Sequence, residues 1–224
     1  MKEHFIREVL HLQSMLCAQG NRVEQTITRA LEAFYSGDTA LAAAVIAADS
    51  EIDAAEIRIE EECLKTLALY QPVASDLRTV AAILKINTAL ERMADFGSHI
   101  AERVEEISRF RDYAELERPD FAAMSGLVLR MLRDALTVIR TADTVLACAV
   151  MERDDAVDTM RHDHKLLAAR AIARFPQAAD YYIACIGLSR DLERIADLTT
   201  DICEHIIYLH TGKIVRHNLS AAKQ

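Results

Sequence analysis

Apolar residues along this chain recur at spacings of three and four, in six long stretches separated by short polar or proline-bearing breaks. That spacing gathers apolar side chains on one face of an α-helix, whereas strands would alternate in twos. The breaks fall at "YSGDT" (35–39), "LYQPVASD" (69–76), "ELERPDF" (115–121), "RTAD" (140–143) and "ARFPQAAD" (173–180). They predict helices over 3–36, 38–70, 75–112, 119–141, 143–174 and 178–211. Pro119 suits a first-turn position, Pro72 and Pro176 suit connections, and Gly20-Asn21 is a candidate interruption of the first helix.

In the third stretch Ile86, Leu90, Met93, Gly97, Ile100, Val104 and Ile107 alternate spacings of four and three, the seam of a helix in a bundle. The sixth repeats the seam with Leu192, Ile195, Thr199, Ile202, Ile206 and Leu209. Inside these seams the hexamer "LERMAD" (90–95) returns as "LERIAD" (192–197), an offset of 102 residues. A second marker, "DSEID" (49–53), returns as "DDAVD" (154–158), an offset of 105. The longer connection after the second helix absorbs the difference. Two markers in the same order at nearly one offset predict an internal duplication. The expected fold is all-α: two tandem three-helix bundles, residues 1–115 and 116–224.

Composition narrows the function classes. Six glycines and three prolines in 224 residues are too few for many short strands and turns. A formal net charge of −9 sets the surface against a phosphate backbone, so nucleic acid is not an expected partner; cations or a basic partner are. No window approaches eighteen uncharged apolar residues, and "MKEHFIREVLHLQ" lacks the apolar core of a signal peptide. Cys17, Cys63, Cys148, Cys185 and Cys203 are odd in number and never in a CxxC pair, which predicts free thiols in a reduced compartment. The expectation is a cytoplasmic protein. Met15, Met124, Met131, Met151 and Met160 read as core filler.

The acidic residues carry the candidate chemistry. Each unit has two pairs at i, i+4: Asp49/Asp53 with Glu91/Asp95, and Asp154/Asp158 with Glu193/Asp197. Like charges at that spacing oppose helix formation unless cations or arginines such as Arg58, Arg92, Arg161 and Arg194 offset them. The lines extend through His99 and Glu102, and through Asp201 and Glu204, roughly opposite the apolar seams, where a solvated face is expected. The second helix differs. Asp49, Asp53, Glu56 and Glu60 share one line flanked by Val45, Ile46, Ile52, Ile59 and Cys63. Carboxylates amid apolar residues need a paired charge or a metal. All-oxygen ligands favour Mg²⁺, Ca²⁺, Mn²⁺ or iron, with zinc less favoured unless histidine joins. Glu8-x-x-His11 is half of a di-metal motif without a second copy, and His162, His164, His205 and His210 have no ligand spacing.

"QPVASDLRTVAAILKINTALERMADFGSHIAERV" (71–104) closely resembles the signature of the PhoU family, the phosphate-uptake regulatory proteins. "SRDLERIADLTTDICEHI" (189–206) is similar to its second copy, and "TGKIVRH" (211–217) to its ending. The resemblance implies two symmetric three-helix bundles with multinuclear metal sites on paired E(D)xxxD motifs. Those motifs match Glu91/Asp95 and Glu193/Asp197, with Asp49/Asp53 and Asp154/Asp158 on the preceding helices. Fe, Mn or Mg are the implied ions, with Zn a further candidate. It also implies a dimeric negative regulator of the phosphate regulon that links a phosphate ABC transporter and its ATPase to a sensor histidine kinase. Two departures stand out: His99 and Asp201 replace the usual Asn, and "PQAADYYI" (176–183) only loosely matches "QPVASDLR". Two alternatives remain beside this non-enzymatic adaptor: a carboxylate-bridged metal enzyme, and an empty bundle with salt-bridged acids.

Overall fold

The computed structural model describes residues 2–110 and 115–212, and those residues hold helices and no strands. Eight α-helices follow in order: α1 Lys2–Ser36, α2 Thr39–Tyr70, α3 Ala74–Glu102, α4 Val104–Ser108, α5 Phe121–Thr141, α6 Thr144–Met151, α7 Asp154–Arg174 and α8 Ala179–Thr211. α1, α2 and α3 pack on one another, as α5, α7 and α8 do, with α6 against α5 and α8. This is the tandem helical bundle that the periodicity predicts.

Local chemistry sets the breaks. Asp38 caps α2 by accepting from Leu41 N at 2.9 Å, and Asp143 caps α6 by accepting from Val145 and Leu146 N at 2.9 and 3.0 Å. Gln71, Ala142 and Gly212 end helices in the left-handed region, at φ 46°, 57° and 68°. Four expectations need correction. Pro119 lies outside α5, because Asp120 takes the N-cap by accepting from Ala123 N. Gly20-Asn21 does not interrupt α1. There glycine serves contact: a Cβ at Gly20 would stand 2.5 Å from Leu136 Cδ2 of α5. The third stretch breaks at Arg103 into α3 and α4, and its last residues, 111 and 112, lie outside those described. The fifth stretch breaks at Glu152–Arg153, where Arg153 Nη1 turns to Asp134 Oδ2 at 2.5 Å.

One continuous core runs through both halves. The seam from Ile86 in α3 to Ile107 in α4 is buried throughout, as is that of α8 except for the half-buried Leu209. Met124, Met131 and Met151 are buried core residues, with Met15 and Met160 packed at its edge. α3 and α8 meet at the centre and run antiparallel. Ile83 and Ile86 early in α3 share a cavity with Ile206 and Leu209 late in α8, while Arg103 at the end of α3 reaches Gly187 and Asp191.

Candidate metal centre

α2 lies against α1 and α3, so its apolar line (Val45, Ile52, Ile59, Cys63) is buried and its carboxylates border that burial. Two buried side-chain amides fix its register. Gln19 Nε2 of α1 donates to Ile52 O, and Asn87 Nδ2 of α3 donates to Glu56 O, each at 2.9 Å. Between those anchors stands Asp53. One oxygen each from Asp49, Asp53 and Asp95 lies within 4.8 Å of the others. Asp49 and Asp95 are half-buried and Asp53 is exposed, so the trio sits at the mouth of the α2–α3 groove.

The electrostatics are those of acids only partly compensated, since His99 and Arg92 offset some of the charge at Asp95. Burial, then the charge of Asp53, raises Asp49 above the ordinary carboxylate range, against smaller lowering effects of Ser98 and His99. Burial, then Asp95, Glu56, Asp53 and Asp49, pushes Glu91 up to about 7. Asp95 is raised by burial and by Asp49 and Asp53. Asp49 Oδ1 is enclosed without a hydrogen-bond partner. An orphaned buried oxygen with two more carboxylates alongside fits a hard cation, whose charge would offset both the desolvation and the repulsion. Asp49, Asp53 and Asp95 offer the direct ligands; Glu91 belongs to the same electrostatic group.

The second copy is built differently. Burial, then Asp197, Asp158, Asp155 and Glu193, pushes Asp154 up to about 7, so these acids also share one field. Here, however, arginines enter. Arg194 Nη1 donates to Asp197 Oδ2 at 3.0 Å, and Arg194 and Arg161 flank Glu193 at 3.7 and 3.8 Å. Among the described residues no second trio of His, Cys, Asp or Glu ligand atoms converges within the same spread. The break before Asp154 removes the straight helix that α2 provides. Glu193, expected on a solvated face, is buried at 9% exposure, because that face of α8 turns towards α7.

Of the flanking candidates, His99, Glu102 and Asp201 are exposed and Glu204 is half-buried. His99 lies close enough to Asp49 and Asp95 to lower both. Glu8 is half-buried and His11 exposed on α1. His164 is a packing residue, its Nδ1 2.8 Å from Ser189 Oγ and its ring edge-on to Phe121. All five cysteines are free, and burial pushes Cys63 up to about 11 and Cys203 to about 12, so these are inert packing thiols. Sequence reading missed Gln19, Asn87, Arg103 and Asp191. A polar residue inside an apolar seam is the signal that marks Asn87.

The PhoU domain model matches residues 16–104 and again 121–206. The chain belongs to the PhoU family. It is 34% identical over 225 residues to the phosphate-specific transport system accessory protein PhoU homolog of Pseudomonas aeruginosa, covering 97% of this chain and 89% of that one. To PhoU homolog 1 of Thermotoga maritima it is 30% identical over 220 residues, covering 96% and 93%. The crystal structure of PhoU from Pseudomonas aeruginosa superposes with a TM-score of 0.87 at 32% identity, covering 93% of this chain and all of that one. The phosphate transport system regulatory protein PhoU from Streptococcus pneumoniae gives 0.83 at 29%, covering 94% and 99%. This PhoU-family fold therefore carries one convergent carboxylate trio and one arginine-tempered counterpart. Among the described residues no helix is long and apolar enough to cross a membrane.

Proposed function

We propose that this PhoU-family protein is a non-enzymatic negative regulator of phosphate uptake, a metal-binding adaptor between a phosphate transporter and a sensor histidine kinase. The names of its relatives, accessory and regulatory proteins of phosphate transport, support the regulatory part. The observation that carries the metal part is the convergence of Asp49, Asp53 and Asp95 around an unpartnered buried oxygen. A bound divalent cation would supply positive charge there. The chain's own residues then do the rest: α2 is held on α1 by Gln19 and on α3 by Asn87, and the acids keep the groove mouth fixed. The second acidic group, with Arg161 and Arg194 already beside it, binds more weakly in this reading, because guanidinium groups supply part of the charge.

Deleting the gene should raise phosphate-scavenging expression in phosphate-rich medium, and a copy carrying Asp53→Ala with Asp95→Ala should fail to restore repression. Unchanged expression on deletion would overturn the regulatory reading. Full metal content in the double variant, measured by elemental analysis, would overturn the ligand assignment alone.

A further inference from the structure

The duplicated hexamer relates α3 to α8, residue n of the first corresponding to n + 102 of the second. Because the two helices are antiparallel, each end of their crossing forms an α3–α8 groove, and the grooves are filled differently. In one, Asp191 is fully buried with its Oδ2 2.5 Å from Arg103 Nη1. The Arg103 side chain lies over Gly187, where a Cβ would come within 2.6 Å of its Nε. That groove is closed by the chain's own ion pair.

Under the correspondence, Lys85, Ala89 and His205 take the places of Gly187, Asp191 and Arg103. The buried carboxylate is missing, and a cavity of about 390 Å³ stands in its stead. Ala89 and Leu198 form an apolar floor, and Lys85, Arg92, Asp201 and His205 surround it. Lys85 and Arg92 stand in one i, i+7 row of α3 and make no hydrogen bond or ion pair among the described residues. Two cations face one carboxylate in this lining, on a chain of net charge −9.

We propose that this open groove binds a phosphoryl group bearing an O–H, as free phosphate or as a phosphomonoester. Lys85 and Arg92 supply the positive charge that Arg103 supplies to Asp191 in the closed groove, with N–H donors for phosphoryl oxygens. Asp201 selects the ion. A carboxylate repels a fully deprotonated anion such as sulfate but accepts a hydrogen bond from P–O–H. A site built to receive a hydroxyl discriminates against the analogue lacking it. The site lies beside the acidic trio, since the Arg92 charge also acts on Asp95, and it does not depend on the regulatory reading.

The test is calorimetric titration of the full chain, chelator-treated and metal-loaded, at constant ionic strength. Inorganic phosphate should bind roughly tenfold more tightly than sulfate, and Lys85→Gln with Arg92→Gln, both at exposed positions, should abolish binding. Asp201→Asn should raise sulfate to the level of phosphate. Ala89→Asp, which supplies the carboxylate that closes the other groove, should also abolish binding; should it fail to fold, the double Gln variant decides. At pH 5.5, below the second phosphate-ester pKa of about 6, both ligands keep a P–O–H; phosphoserine binding more tightly than phosphate there assigns the ester, and the reverse assigns the free ion. Equal responses to phosphate, sulfate and chloride, or phosphate binding unchanged in the double variant, would overturn the proposal.

Discussion

Asp53 is exposed while its partners Asp49 and Asp95 are half-buried, so removing charge from this trio should cost little fold and all of the cation binding. Asp53→Ala with Asp95→Ala should abolish the Mn²⁺- or Mg²⁺-induced rise in melting temperature and leave the helical circular dichroism intact. Without metal the variant should be at least as stable as the parent, since each like-charge i, i+4 contact costs about 0.2–0.5 kcal/mol. His164 makes a prediction of its own. Burial lowers its pKa below the usual 6.5, so the folded state favours the neutral ring. The unfolded chain therefore takes up the proton first, and stability falls as pH drops through 6.5 towards the folded value. Lowering the pH from 7.5 to 5.5 should shift the melting temperature less favourably in the parent than in His164→Gln, the raised carboxyls being common to both. The acidic pairs were readable as residues at fixed spacing, whereas Asp191 was not, because its burial depends on a helix one repeat away.

At the scale of elements, α3 and α8 are joined by a charge pair that the periodicity concealed. Arg103 ends α3, donates from Nη1 to His99 O at 2.6 Å, and meets the buried Asp191. Arg103→Met leaves that carboxylate unpaired and should cost about 3–5 kcal/mol in urea denaturation. Asp191→Asn, which removes the buried charge, should cost less. Gly187→Ala crowds the Arg103 guanidinium, so it should stabilise the parent less than it stabilises an Arg103→Ala background, where the full helix-interior gain of about 0.5–1 kcal/mol should appear. The break at Glu152–Arg153 was hidden for a similar reason. Apolar spacing continues across it, while Arg153 at the break pairs with Asp134 on α5, a partner beyond the reach of local pattern.

For the molecule as a whole, the core passes without interruption from α1–α4 into α5–α8. Two repeats that share a core should unfold together, so calorimetry of the full chain should give one transition. Residues 1–115 alone expose the side of α3 that α8 covers and should not give a cooperative transition. Two separate transitions in the full chain would show that each repeat is stable by itself.

Spacing of threes and fours, the doubled hexamer and the caps at Asp38 and Asp143 determined helix content, the duplication and most helix ends, because those depend on neighbours within one turn of helix. The same spacing placed Asp49 and Asp53 on one face of α2 and Asp95 on α3. That their oxygens converge was decided only when Gln19 set α2 against α1 and Asn87 set it against α3. Tertiary packing also made the repeats unequal. Near-identical signatures acquired different surroundings: arginines at Glu193 and Asp197, an ion pair in one central groove and a cavity in the other. Charge and burial at a site are sums over neighbours from other helices, and linear order does not contain that sum.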